Sequence, residues 1–447
     1  MLIGTGLYFT VRARFPQLRL FRSACKAVME KPEDDQSVSS FQALMVSTAS
    51  RVGTGNIVGV SSAICIGGFG AVFWMWIIAI VGSASAFVES TLAQIYKKKG
   101  EDGRCYGGPA YYIEAALHSR PLAIAFCIAM ILTYAFGFNM LASYNLQSTF
   151  SGFSFYNPSV SPWIIGGILA VVTGWCLLGG GSRIVKVTST LVPVMGIAYI
   201  AVALLVVILN IANIPMVFAT IFREAFDFRA IFGAFAGSAL MQGIRRGLYS
   251  NEAGIGSAPN AAASAHVSHP VKQGLVQMLS VFIDTLLLCT ATAMMCMSSG
   301  IEPSAELQGA PWVQASLQAS LGSFGPVFIT VSMVLFAFTR LLGNWFYCDN
   351  LLTYIHKEQP GKRFMAGFGL VCATVVFVGA GMEMSMLWDI SDVLMGVMAL
   401  INIPVILVLS NTAMKAVKDY EKQLKNGGNP VFRSANIGLK HATDYWK

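Results

Sequence analysis

Apolar residues run through this chain in blocks of roughly 20 or more, the length at which an α-helix crosses about 30 Å of hydrocarbon. The blocks fall near 1–11, 41–66, 69–96, 121–150, 161–180, 184–211, 230–265, 271–299, 323–355, 364–381 and 385–411, with polar stretches between them too short to fold as domains. Only 12% of the 447 residues are charged, against about 25% in soluble domains. An all-α polytopic membrane protein of about 11 membrane helices is expected, one membrane domain over 1–411 with a tail at 412–447.

The net charge of +8 is explained by where the charges lie. Connectors on one side carry Arg12, Arg14, Arg19, Arg22, Lys26, Lys31, Lys97, Lys98, Lys99, Arg104 and Arg120. The same side continues with Arg183, Lys186, Lys272, Lys357, Lys362, Arg363 and a lysine-rich tail; the other side has only Arg223 and Arg229. Such a bias places the first set, and the C-terminus, in the cytoplasm of a cell (inner or plasma) membrane, in all expectation bacterial. The basic excess is a topology signal, and no nucleic-acid partner is expected. Nine scattered cysteines without a Cys-x-x-Cys read as small buried apolar residues rather than metal ligands or disulfides. Met1 to Val11 is too short to cross and lacks signal-peptide features, so 1–22 reads as a first helix clipped at its start, plus a linker.

Setting that helix aside, ten blocks divide into five over 41–211 and five over 230–411, joined by a polar connector from Asn213 to Arg229. Five is odd, so the second set must run through the membrane upside down relative to the first, the arrangement of inverted-repeat transporters. The opening block of each set is interrupted, at Val52-Gly-Thr-Gly-Asn56 and at Ser250-Asn-Glu-Ala-Gly-Ile-Gly-Ser257. Each glycine weakens a helix by about 1 kcal/mol, and freed backbone groups persist in a bilayer only where protein, water or ligand satisfies them. Close packing would account for the glycines, but not for Asn56, Asn251 and Glu252 beside them. After a break, a half-helix offers unpaired N–H groups to a carboxylate. Before it, carbonyls face a hard cation or an ammonium. A zwitterionic amino acid fits two such breaks facing each other.

At these residues the chain resembles the alanine/glycine:cation symporter family, also called sodium:alanine symporters. Ser50–Gly59 (SRVGTGNIVG) matches the family's first break and Gln242–Ala261 (QGIRRGLYSNEAGIGSAPNA) its second, with further matches at Gly107–Ile113, His269–Leu275 and Trp388–Gly396. The resemblance covers nearly the whole chain. It implies the leucine-transporter (LeuT) fold: a helix ahead of a five-plus-five inverted repeat, with Na⁺ as coupling ion, H⁺ as the alternative, and no cofactor. It implies a substrate site lined by Thr54, Gly55 and Asn56, by Tyr249, Ser250 and Asn251, and by Phe138, Ala142 and Asn344 on the third and eighth core helices. A second sodium would take carbonyls near Ala49 and Val52 with two side chains at Thr339 and Arg340. Asn56 with Asp284 or Thr285 is a candidate for another cation site.

Arg340 departs from the family pattern, which places a second small hydroxyl after Phe336-Ala-Phe-Thr339. It lies about 16 residues, or ~24 Å of helix, from either end of its block, too deep to snorkel, and a charge there is a functional candidate by default. The expectation is that its guanidinium replaces the second sodium as a tethered cation, giving sodium-independent or exchange-type transport; an arginine turned to a wet vestibule is the alternative. Ala142 and Asn344 are smaller than the glutamine and tryptophan of some relatives, which would admit a larger neutral amino acid such as glutamine. Arg51, Arg245 and Arg246 are candidates for a cytoplasmic gate with Glu252. Glu89 and Glu114 read as solvated or paired near block ends, Asp389 and Asp392 as vestibule residues, and Tyr111 and Tyr112 as interfacial.

Other functions fit less well. A channel needs repeated filter segments or pore-lining rings. The five histidines (His118, His266, His269, His356 and His441) lie in connectors or at block ends, with no His-Glu-x-x-His and no Ser-His-Asp pattern, so no enzyme is expected. No Walker-type glycine loop is present. An amino-acid-sensing receptor on the same fold stays open. Oligomeric state and the stereochemistry of the substrate are not legible.

Overall fold

Inside hydrocarbon no water pairs with a bare N–H or C=O, so a spanning segment closes its hydrogen bonds within itself, and the apolar blocks fold as helices. The computed structural model describes residues 1–30, 38–100, 103–177, 180–227, 235–439, 443, 445 and 446. Lys31, Arg229, His441 and the first residues of the 230–265 block lie outside the described residues. Apart from two short helices, Pro16–Arg19 and Phe21–Val28, the helices in chain order are α1 (Leu2–Arg12), α2 (Ser40–Arg51), α3 (Val58–Gly67), α4 (Gly70–Ile95), α5 (Pro109–Leu117), α6 (Arg120–Ser148), α7 (Ser161–Leu177) and α8 (Gly180–Leu209). They continue as α9 (Ile214–Ala225), α10 (Ala239–Asn251), α11 (Ala258–Ser264), α12 (Pro270–Ser298), α13 (Ala310–Leu321), α14 (Phe324–His356), α15 (Lys362–Gly379), α16 (Met384–Val408) and α17 (Ser410–Lys425). Among the described residues seven helices, α4, α6, α8, α12, α14, α15 and α16, are long and apolar enough to span a membrane. The blocks 41–66 and 230–265 are each split, into α2–α3 and α10–α11.

The spine is α4. A methyl group at Gly243 would stand 2.5 Å from Ala71 O, at Gly247 2.5 Å from Ile78, and at Gly274 2.1 Å from Thr91 Oγ1. These residues bring α10 and α12 against α4 at backbone distance, the small-residue packing that membranes reward. By contrast, α8 and α15 are only 28% and 22% buried across their apolar windows, against 72% for α4, which puts them on the lipid-facing rim.

Two expectations are corrected here. The polar connector from Asn213 is largely the helix α9, whose Val217, Ile221 and Ala225 turn inward. It docks on the start of α4, where Phe69 N donates to Glu224 Oε2 at 2.6 Å and Trp74 Nε1 to Ala225 O at 2.9 Å. Tyr111 and Tyr112 are buried rather than interfacial, and Tyr112 OH donates to Asn402 Oδ1 at 2.5 Å.

Polar connectors gather on two faces. On one, Arg19 pairs with Glu421 at 2.7 Å, Lys272 with Glu30 at 2.5 Å, and Trp446 Nε1 donates to Gln94 O at 2.7 Å. The segment after α16 therefore runs beneath α4 and α12. The opposite face carries α9, α13 and the start of α16, with Asn213 Nδ2 donating to Ser298 O at 2.8 Å.

Candidate functional site

The first break follows directly from its sequence. After α2, Gly53 is extended (φ −140°, ψ −155°) and Thr54–Asn56 makes one 3₁₀ turn before α3. Asn56 repairs the damage with its own side chain, because Gly53 N donates to Asn56 Oδ1 at 2.9 Å. The carbonyl of Asn56 accepts from Thr292 Oγ1 at 2.7 Å.

The second break is more contorted. Glu252, Gly254 and Gly256 all have left-handed φ, at 53°, 84° and 90°. Its freed backbone is satisfied from other helices: Gly254 N donates to Glu89 Oε1 at 3.2 Å, and Asn402 Nδ2 donates to Gly254 O at 2.9 Å. Asn402 Nδ2 also reaches Glu89 Oε2 at 2.9 Å. Glu89 is thus fully buried and spent on the break, not solvated.

The breaks meet. Asn56 Nδ2 donates to Ser250 Oγ at 3.2 Å and to Asp284 Oδ1 at 2.8 Å; Ser250 and Thr285 hydroxyls donate to Asp284 Oδ2 at 2.5 and 3.1 Å. All four side chains are fully buried. Asp284 and Thr285 lie in a π-helical stretch of α12, Phe282–Cys289, a local widening common at functional sites. Beside this cluster Phe138 packs on Tyr249 at 5.0 Å and Tyr249 on Trp388 at 4.7 Å. Thr54 Oγ1 accepts from Asn145 Nδ2 at 3.0 Å. Asn344 is engaged by Ser50 Oγ and Asn139, each at 2.8 Å, and Ala142 is buried on α6 with Asn139 and Asn145.

Arg340 enters this space rather than the expected carbonyl site. Its arm passes the bare face of Gly53, where a Cβ would stand 2.7 Å from Arg340 Cδ, and its Cζ ends 4.4 Å from the Tyr249 ring centroid and 4.8 Å from that of Phe138. Nη2 lies 3.5 Å from Glu252 Oε1. None of its three nitrogens has a hydrogen-bond partner, so the guanidinium is not held by the carbonyls near Ala49 and Val52. The Thr339 hydroxyl bonds back to Leu335 O at 2.9 Å within α14 and faces Met195 Sδ at 3.8 Å. Ala49, Val52, Thr339 and Arg340 are all buried, and the Arg340 arm lies against Gly53, next to Val52.

The four gate candidates are also divided. Arg246 and Arg245 pair with Asp392 at 3.3 and 3.9 Å, and Arg246 lies 3.8 Å over the Trp388 ring. Asp392 is in the first third of α16, on the side of the site away from the tail, so these arginines do not join Glu252. Arg51 is buried near Gln277 at 3.5 Å. Glu252 takes Tyr134 OH and Ser257 Oγ on Oε2, both at 2.8 Å, besides Arg340 on Oε1.

Glu89, Asn402, Tyr134, Asn139, Asn145 and Trp388 were not read as site residues from sequence. Five of them are polar or titratable side chains within apolar blocks, a signal that was available.

Two interrupted helices turned toward each other inside a membrane bundle, each with polar side chains on the other, define a secondary transporter of the broken-helix class. The chain belongs to the sodium:alanine symporter family, whose profile matches residues 1–434. It is 46% identical to the amino-acid carrier protein AlsT of Bacillus subtilis over 99% of this chain and 93% of AlsT. It is 41% identical to the probable sodium/glutamine symporter GlnT of the same organism, over 100% of this chain and 92% of GlnT. It is 36% identical to the sodium/alanine symporter AgcS of Methanococcus maripaludis, over 95% and 94%. Among solved structures, MhsT in complex with L-phenylalanine superposes with a TM-score of 0.63 at 13% identity, covering 86% of this chain and 93% of MhsT. That likeness identifies the LeuT-like fold.

Proposed function

We propose that this chain is a secondary active carrier of small neutral amino acids, alanine and glycine first, coupled to Na⁺ and working by alternating access around the two breaks. One observation carries it: Thr54–Asn56 and Tyr249–Glu252 meet in the buried interior, where Arg340, Glu252 and Asp284 supply both signs of charge. The start of α3 suits a carboxylate, and the ends of α2 and α10 suit an ammonium or a cation. Na⁺ is assigned to Asp284. One carboxylate with the hydroxyls of Ser250 and Thr285 is an all-oxygen set of charge −1, suited to a hard monovalent ion. H⁺ on the same carboxylate is the alternative.

The charge bias of the connectors assigns the tail face to the cytoplasm. The pair Arg246–Asp392, with Trp388 over Tyr249, then closes the external path. A second reading is a sodium-independent or exchange-type carrier of a larger neutral amino acid such as glutamine. The guanidinium between the breaks and the likeness to GlnT favour it.

The test is uptake of labelled alanine, glycine and glutamine into proteoliposomes, with an inward sodium gradient or with choline. Saturable, concentrative alanine uptake that collapses in choline is expected. Equal uptake in choline selects the second reading. Saturable binding without uptake would make the chain a receptor.

A further inference from the structure

We propose that Arg340 and Glu252 form a dipolar receptor within the site, in which Arg340 takes the substrate carboxylate and Glu252 Oε1 its ammonium. This rests on the transport reading above and assigns the charged ends of the substrate to two side chains rather than to helix ends and sodium alone.

The guanidinium is fully buried, yet none of its nitrogens makes a hydrogen bond. Buried polar groups are almost always satisfied, and a guanidinium presents five N–H donors in a fork that matches a carboxylate. Among the described residues it faces Glu252 Oε1 at 3.5 Å and the rings of Tyr249 and Phe138. Glu252 Oε1 is likewise without a hydrogen bond, although Oε2 has two. The unused donor face and the unused acceptor oxygen look at each other across the two breaks. A zwitterion placed between them replaces one long ion pair by two charge-assisted hydrogen-bonded pairs, so no net charge is added to the site.

The backbone makes room for the arm. Gly53 lies against Arg340 Cδ, and a Cβ at Gly55 would stand 2.6 Å from the Tyr249 ring. The aromatic faces of Tyr249 and Phe138 give the guanidinium a surface on which to swing when the pair opens.

The test is competition against labelled L-alanine on purified protein in nanodiscs, in sodium chloride and in choline chloride, using L-alanine and L-alaninamide. The amide keeps the ammonium and lacks the carboxylate. Wild type is expected to prefer alanine by on the order of 100-fold, and Arg340→Ser to lower alanine affinity by a similar factor while alaninamide binding barely changes. Arg340→Lys, which keeps the charge and loses the fork, should retain about a tenfold preference. If Arg340→Ser is not monodisperse, the lysine variant decides alone: a wild-type preference there overturns the proposal. Equal loss of both ligands in Arg340→Ser marks a structural staple and also overturns it. Wild type that binds alanine, with the preference unchanged in the variants, sinks this proposal and spares the transport reading. Wild type that binds no amino acid sinks both.

Discussion

The two breaks solve the same problem by opposite means. The first uses no left-handed residue and closes its exposed N–H with the side chain of Asn56 three positions on. The second uses three left-handed residues and borrows Glu89 from α4 and Asn402 from α16. The first break is also tied to α12 and α6, through Thr292 on the Asn56 carbonyl and Asn145 on Thr54, but it closes its own N–H locally, whereas the second needs other helices for its freed backbone. The second break, whose backbone is held by α4 and α16, is accordingly the frame of the site.

The largest expected contrast lies between glycines of the two breaks. Gly256 has φ 90°, and a Cβ there meets Pro109, Phe126 and Asn402 at 2.7–3.0 Å. Gly256→Ala combines a left-handed alanine with overpacking, and a loss of roughly 3 kcal/mol or more is expected. Thermal unfolding in detergent should show it as a collapsed midpoint or no folded peak. A midpoint near wild type would remove the idea of a rigid frame. Gly53→Ala meets chiefly the flexible Arg340 arm, so its midpoint should stay within a few degrees while the apparent KM for alanine rises about tenfold, on the order of 1.4 kcal/mol.

Next in size is Asp284→Asn, which removes the one carboxylate shared by both breaks through Asn56 and Ser250. Sodium stimulation of uptake should vanish while residual choline-supported uptake persists. A variant that keeps its full sodium response would free Asp284 from any coupling role. A smaller effect is expected at the external pair. Arg246→Ala uncovers a buried partner of Asp392 and should raise substrate leak, but Arg245→Ala, half exposed at 3.9 Å, should cost less than about 1 kcal/mol. Equal effects from the two would contradict the asymmetry.

The smallest effect is a pH dependence outside the site. Burial lowers the pKa of His269, at the start of α12, to about 4, against the opposing pull of Asp419. The geometry agrees: Nδ1 accepts from Val271 N at 3.2 Å and so is unprotonated, while Nε2 faces Asp419 at 3.3 Å. The folded pKa lies below the unfolded value near 6.5. Above pH 6.5 neither state takes the proton, and between about 6.5 and 4 only the unfolded state does. Stability should therefore fall as the pH drops through that window, and His269→Gln should flatten the fall. An unchanged slope in the variant would assign it to other groups.

Both breaks were legible in the sequence because glycine and polar residues interrupt apolar runs at a fixed place in each half. What lay across from them was not. The π-helical stretch that turns Asp284 toward Asn56 leaves no mark in residue spacing, since its cause is tertiary. Arg340 was legible as a deep charge, but its direction was set by the bare face of Gly53 in the first break and by the rings of Tyr249 on α10 and Phe138 on α6. The arginine gate was misgrouped for a related reason. Arg246 precedes Glu252 by six residues, about 9 Å along a helix and on another side of it, so nearness in sequence did not mean a shared partner.

The most direct test is an experimental structure with L-alanine bound. The account requires ligand density between Gly53–Asn56 and Tyr249–Glu252, with the carboxylate about 3 Å from the Arg340 guanidinium and both helices interrupted. Density elsewhere in the bundle, or either helix running unbroken past these residues, would contradict it.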